Sequence, residues 1–162
     1  MCGFSGFLNF NPNWGDPLTL LQQMGDQLAH RGPDDSGVWF DNDCSVGFSH
    51  RRLSIIDLST QGRQPMASVS GRFVIAYNGE IYNHQELKKE LLQASVIFRG
   101  GSDTEVLLAA IESWGIKQTL QRCIGMFAFS LWDKKEQTLS LVRDRMGEKP
   151  LYYGWQGKGA KR

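Results

Sequence analysis

A cysteine directly behind the initiator Met1 can do chemistry that an internal cysteine cannot, and Cys2 occupies that place. Cysteine is small enough at the second position for the initiator methionine to be removed. Removal leaves one residue carrying both a thiol and a free α-amine. The thiol is an intrinsically strong nucleophile. The amine, with an ordinary pKa of about 7.7–8.0, is a usable general base near neutral pH. Nucleophile and base then share one residue, as in the N-terminal threonine arrangement. Position alone is equally met by a cysteine that simply occupies residue 2.

The other thiols add nothing to this chemistry. Cys44 follows an Asp-Asn-Asp turn and Cys123 precedes Gly125 by two residues. The spacing of the three matches no zinc pattern, and the odd count does not suggest a disulfide framework. Reduced thiols in a cytoplasmic protein are the natural expectation. No basic region precedes the apolar N-terminus, since the first Lys or Arg is Arg31, which argues against a signal peptide.

The elements that must hold Cys2 can be read from pattern and punctuation. Residues 2–10 are apolar and aromatic with glycines, as in a buried strand close to another backbone. Asp16-Pro17 is a helix start, with an N-cap and proline at the first helical position, and Leu18, Leu21, Met24 and Leu28 carry a helix to about Ala29. Residues 37–40 and 46–50 predict two strands around an Asp-Asn-Asp turn. A long polar loop, about 57–71, is of a kind often tied to function. Residues 73–77 predict a strand, and Asn83 with Glu86 a capping-box helix start. A short strand is expected at 96–98. Ser102 with Glu105 predicts a second capped helix to Gly115, with a shorter helix following to about Arg122. Strands at 126–132, 138–143 and 151–155 complete the pattern. Strands at both ends with helices between predict an α+β fold with mostly antiparallel sheets.

Composition sets bounds. The 162 residues suit one domain with a sizeable core, and 41% hydrophobic with 22% charged residues is ordinary for a soluble globular chain. A net charge of +1 points to no nucleic acid and no membrane surface as partner. No apolar run approaches the ~18 residues of a spanning helix. The tail GKGAKR at 157–162 has nothing to bury.

Several short segments are modest singly and specific together. They are Cys2-Gly3, HRGPDDSG at 30–37, RRLSIIDL at 51–58, YNGEIYN at 77–83, GGSDTE at 100–105, GMFAF at 125–129 and RDRMGEKPLYY at 143–153. In this order the chain resembles the N-terminal glutaminase domain of glutamine-hydrolysing asparagine synthetases, a class II (Ntn-type) glutamine amidotransferase. The resemblance spans essentially the whole chain, with a domain over 1–156 and a polar tail or truncation point at 157–162. It implies a four-layer αββα sandwich of two mostly antiparallel sheets.

The resemblance also implies roles. Cys2 would attack the side-chain amide of L-glutamine to form a thioester and release ammonia, its α-amine acting as base and then as acid. Asn78 and Gly79 would supply oxyanion donors from a side-chain amide and a backbone N–H. Taken without the family, Asn-Gly is instead the strongest short hairpin-turn signal. Arg52 would hold the substrate α-carboxylate with a two-pronged guanidinium, with Arg51 as bystander; a solvated surface arginine is the local alternative. Leu53, Ser54, Ile55 and Ile56 would contact substrate mainly through backbone groups. Asp103 would hold the α-ammonium, although a carboxylate at a helix start needs no ligand to be favoured. Glu80 belongs to the substrate-contacting Asn-Gly-Glu segment, and residues 30–34 would shape the pocket wall. His30 as a separate base is unnecessary for an N-terminal nucleophile.

No metal ligand set and no cofactor are expected in this domain; ATP and Mg2+ belong to a synthetase domain whose Ser-Gly-Gly-x-Asp-Ser signature is absent. The implied partners are L-glutamine and a synthetase domain or subunit that accepts the ammonia, and a homodimer stays open for a full-length protein. Other acceptors, such as envelope sugars or antibiotic precursors, fit the same glutaminase. A non-catalytic glutamine-sensing module and another N-terminal-nucleophile amidase are the readings from other classes.

Overall fold

The computed structural model describes residues 1–54 and 59–155. Two antiparallel sheets form. The first has the order β1 (Gly3–Leu8), β3 (Val46–Arg52), β2 (Asp35–Asp41). The second has the order β4 (Met66–Ala67), β5 (Phe73–Ile81), β6 (Gly125–Asp133), β7 (Thr138–Arg143).

Side-chain alternation explains the stacking. On β3, Val46 and Phe48 turn to the second sheet, where they meet Val74, Ala76 and Trp132. Gly47 and Ser49 turn the other way, against Leu21 and Gly25 of α1 (Pro17–Asp26). On β5, Phe73, Ile75, Tyr77 and Ile81 face α2 (His84–Gln93) and α3 (Asp103–Arg122), joining Leu87, Leu91, Leu107 and Ile111. The layers therefore run α1, first sheet, second sheet, α2 with α3. This is the expected αββα sandwich. Each fully buried Leu, Ile or Phe here contributes about 1.5–3 kcal/mol through burial. Trp132 also donates its indole N–H to Asp41 across the sheets, at 3.2 Å.

The helix starts behave unequally. Asp16 accepts from Thr19 N at 2.7 Å, a conventional N-cap ahead of Pro17. Ser102 accepts from Glu105 N at 3.2 Å. The Glu105 carboxylate, however, takes Arg99 N and Gly100 N, so it orders the preceding loop instead of closing a reciprocal box. Asn83 caps no N–H of α2; its side-chain amide bridges Arg122 O and Ile124 N, tying α2 to the end of α3. The two expected helices before Arg122 both form, as the two parts of α3: Gly115, at φ 76° and ψ 160°, leaves the helical region between them, a conformation only glycine adopts readily.

Two expected strands do not form. Val96 and Phe98 pack their side chains onto the α2–α3 core, and Val96 N closes the end of α2 on Leu91 O. Their apolar character serves burial, not pairing. At 151–155, Tyr152, Tyr153 and Trp155 are more than four-fifths exposed. The chain has already been turned out of the β7 ladder, because Arg143 binds the carbonyls of Gly147 and Lys149.

His50 sits between the sheets, 1% exposed, with Nε2 2.9 Å from Tyr77 O. A neutral ring can donate that bond, and burial pushes its pKa down to about 4. The unfolded chain therefore binds more protons between about pH 6.5 and 4. Stability should be fully present above that window and fall through it on acidification, by about 3 kcal/mol in all. Urea midpoints at about pH 7 and pH 4.5 should differ markedly less in His50→Gln, which cannot titrate.

Candidate active site

Cys2 precedes β1 by one residue and keeps its alternation, so it lies in phase with Phe4, which packs between the sheets. Since Gly3 pairs with Arg51, the same phase on β3 belongs to Arg52. Cys2 Sγ lies 3.4 Å from Leu53 N and 3.7 Å from Leu53 O. The carbonyl of Cys2 accepts from Arg31 Nε at 3.1 Å. Arg31 belongs to the His-Arg-Gly-Pro-Asp turn, which lies flat on the end of β3: a Cβ at Gly32 would come within 2.4 Å of Arg51 C. Asp34 then accepts from Ser54 N at 2.7 Å and donates its own N–H to Arg52 O at 3.0 Å. The turn thus braces both the cysteine and the Arg52–Ser54 backbone.

Adjacent arginines are separated by the pleat. Arg51 faces α1, with Nη2 2.6 Å from Asp26 Oδ1 and Nε on Gly25 O. Arg52 faces inward, 7% exposed, packed on Gly62 and donating to Ser59 O at 2.8 Å.

Asn78 and Gly79 are not a turn. They lie inside β5, opposite Ala128 and Phe127 of β6. Asn78 shares the face of Val74 and Ala76 and so points toward the first sheet; it is 6% exposed. The N–H groups of the odd residues project to the other edge of β5, where β4 has ended. Gln64 Oε1 accepts from Tyr77 N at 2.7 Å, and Asp103 Oδ2 from Ile81 N at 3.0 Å. Gly79 N–H lies between them on that edge, at the wall of the cavity. Gly79 itself is required by close approach: a Cβ would stand 2.3 Å from Met126 O and 2.6 Å from Phe127 Cα.

Asp103 is the first residue of α3 yet does not serve that helix. Its Oδ2 takes the Tyr77 hydroxyl at 2.7 Å in addition to Ile81 N, both from β5. Burial, and then the neighbouring Asp103 carboxylate, hold the Tyr77 phenol well above its ordinary range, so it remains a donor.

A cavity of about 110 Å³ joins these groups. Cys2, Arg52 and Leu53 line it from the first sheet; Asn78, Gly79 and Glu80 from β5; Asp103 from α3. Ser54 is not on its wall, and Ile55 and Ile56 lie outside the described residues. A second cavity of about 150 Å³, between β4 and α3, contains Glu105 and Glu112 but no cysteine among the described residues; Glu112 is already bound by Ser68 and Ser70. Elsewhere, burial raises Cys123 to about 11 and desolvation raises Cys44, so neither is a thiolate near neutral pH. Among the described residues no cluster of three His, Cys, Asp or Glu is placed to hold a metal ion, and no helix is long and apolar enough to cross a membrane.

Three contributors escaped the sequence reading. Gln64 caps the open edge of β5, and Tyr77 steadies Asp103. Lys149 lines the cavity with Nζ 2.7 Å from Met1 Sδ. Tyr77 and Lys149 carried a signal, their places in the 77–83 and 143–153 segments; nothing in spacing marks Gln64.

Face-to-face antiparallel sheets between helices, with a cysteine leading the first strand into the gap, define an Ntn amidotransferase architecture. The glutamine phosphoribosylpyrophosphate amidotransferase of Bacillus subtilis, solved with ADP and GMP, shares this fold with a TM-score of 0.74 at 21% identity, over 97% of this chain and 40% of that one. Residues 1–161 match the glutamine amidotransferase domain model, and the chain belongs to that family. Among curated proteins it is 40% and 43% identical to glutamine-hydrolysing asparagine synthetases 3 and 1 of Bacillus subtilis, over 97% and 94% of its length. It is 38% identical to the amidase chry2 of Gibberella zeae, over 94% of its length. The chain spans about a quarter of the length of these relatives.

Proposed function

We propose that Cys2, freed of Met1, hydrolyses L-glutamine to glutamate and ammonia. The observation that carries this reading is one small cavity holding a cysteine, a buried arginine and a buried aspartate. Arg52 suits an α-carboxylate and Asp103 an α-ammonium, so the opposite charges select a free amino acid and present its side chain to Cys2.

The α-amine takes the thiol proton as sulfur attacks the amide carbon, and the carbonyl electrons move to oxygen. Asn78 Nδ2 and Gly79 N–H stabilise that oxyanion. Collapse breaks the C–N bond, and the ammonium returns its proton to the departing nitrogen, giving ammonia and a thioester. Water, deprotonated by the same amine, then releases glutamate and the thiol. Leu53, beyond the end of β3, and Glu80, on β5, contact the substrate from the two sheets.

Intact-mass measurement paired with a glutamine-hydrolysis assay tests this: the active species should lack Met1. Turnover by protein that keeps Met1 would remove the α-amine from the mechanism. Arg52→Lys should raise KM for glutamine about tenfold and change kcat less, because an ammonium cannot make two parallel bonds to a carboxylate. An unchanged KM takes Arg52 out of the carboxylate role.

The ammonia is destined for an ATP-dependent domain or subunit that amidates aspartate, a reading supported by the similarity to glutamine-hydrolysing asparagine synthetases. The comparable similarity to an amidase favours a second reading, in which the same N-terminal cysteine hydrolyses another amide and feeds no acceptor domain. ATP and Mg2+ enter only with the acceptor domain of the first reading.

A further inference from the structure

Lys149 is 4% exposed and lines the cavity that holds Cys2. Its Nζ rests on the sulfur of Met1, at 2.7 Å. A thioether is a weak acceptor, and a buried ammonium is costly without a strong partner. Among the described residues no carboxylate pairs with Nζ. The lysine is nevertheless held firmly. Asp144 accepts from Lys149 N at 3.0 Å and from Glu148 N at 2.9 Å, and it also binds Phe127 N of β6. Arg143 Nε donates to Lys149 O at 2.7 Å. A rigid turn therefore delivers a cation to the residue that must leave.

We propose that Lys149 is a positioning residue: its ammonium, left facing the space that Met1 vacates, holds the Cys2 α-amine in its neutral, proton-accepting form. Protonating that amine would add a second positive charge to the small cavity that Lys149 and Cys2 share, which disfavours the charged form. The surroundings are otherwise mixed. Arg31 at the Cys2 carbonyl and Arg52 on β3 add positive charge, Glu80 on β5 and Asp103 on α3 add negative charge, and His50 on β3 is kept neutral by burial. Lys149 is the cation that contacts Met1 itself.

This inference rests on Cys2 being the nucleophile, so Cys2→Ala is the control; hydrolysis that survives it defeats the reading of the site and not the role of Lys149. The test is the pH profile of kcat/KM for glutamine in wild type, Lys149→Met and Lys149→Arg. The acidic limb reports the base of the free enzyme. In Lys149→Met it should move up by about one pH unit, costing about tenfold at about pH 6.5 and less than about twofold on the alkaline plateau. Lys149→Arg should keep the wild-type limb. A folded, active Lys149→Met whose acidic limb has not moved overturns the proposal. Should that variant fail to fold or turn over, the N-terminal amine of wild type, dimethylated with isotopic carbon, is titrated by NMR. A midpoint clearly below that of the same dimethylated amine on a short peptide with this N-terminus is expected; one at or above it overturns the proposal.

Discussion

Cys2→Ala is expected to lose glutamine hydrolysis by about 10⁴-fold or more, because among the described residues no second thiol lines the cavity. Cys123 is buried at the C-terminal end of α3, and Cys44 stands at the far end of the first sheet, beyond β2. The fold should hardly notice the change. Among the described residues Cys2 Sγ bonds only the Leu53 backbone, through two long sulfur contacts, so the urea midpoint should move by less than about 0.5 kcal/mol equivalent. Stability and activity are thereby separated in one variant. Full activity in folded Cys2→Ala would sink the proposed mechanism.

The second large effect divides the two proposed oxyanion donors. Asn78→Ala removes a side-chain amide that projects between the sheets and leaves the β5–β6 ladder intact. It should cost about 10²–10³ in kcat with KM nearly unchanged. Gly79→Ala acts through the fold as well. Its Cβ meets backbone atoms of Met126 and Phe127, which cannot swing aside as a side-chain tip would. Destabilisation of about 3 kcal/mol is expected, together with loss of activity as the Gly79 N–H is displaced. Comparing kcat with urea midpoints distinguishes them: Asn78→Ala should be a stable, slow enzyme and Gly79→Ala an unstable one. A stable, fully active Asn78→Ala would remove that amide from the oxyanion role.

The local signals read best where one residue type meets one backbone demand. Asp16-Pro17 started a helix because the proline needs no N–H partner and the carboxylate caps Thr19. Asn83-Glu86 also marked a true helix start, that of α2, but the expected cap bond failed, since Arg122 and Ile124 offered the asparagine better partners from about forty residues away in the chain. Asn78-Gly79 failed for a related reason. The pair can turn, but nine residues of β5 ladder with β6 outweigh a two-residue preference. The aromatic alternation at 151–155 predicted pairing, and no described strand lies alongside it.

What was legible in the residues alone was the α+β class, the αββα layering through family resemblance, and the set of groups able to handle an amino-acid amide. Those are matters of residue type, order and period. Which of two neighbouring arginines turns inward, why Gly79 tolerates no side chain, and that Gln64, Tyr77 and Lys149 serve the site emerged only from the folded chain. Each depends on strand phase or on contact between segments far apart in sequence, and no local pattern encodes such a meeting.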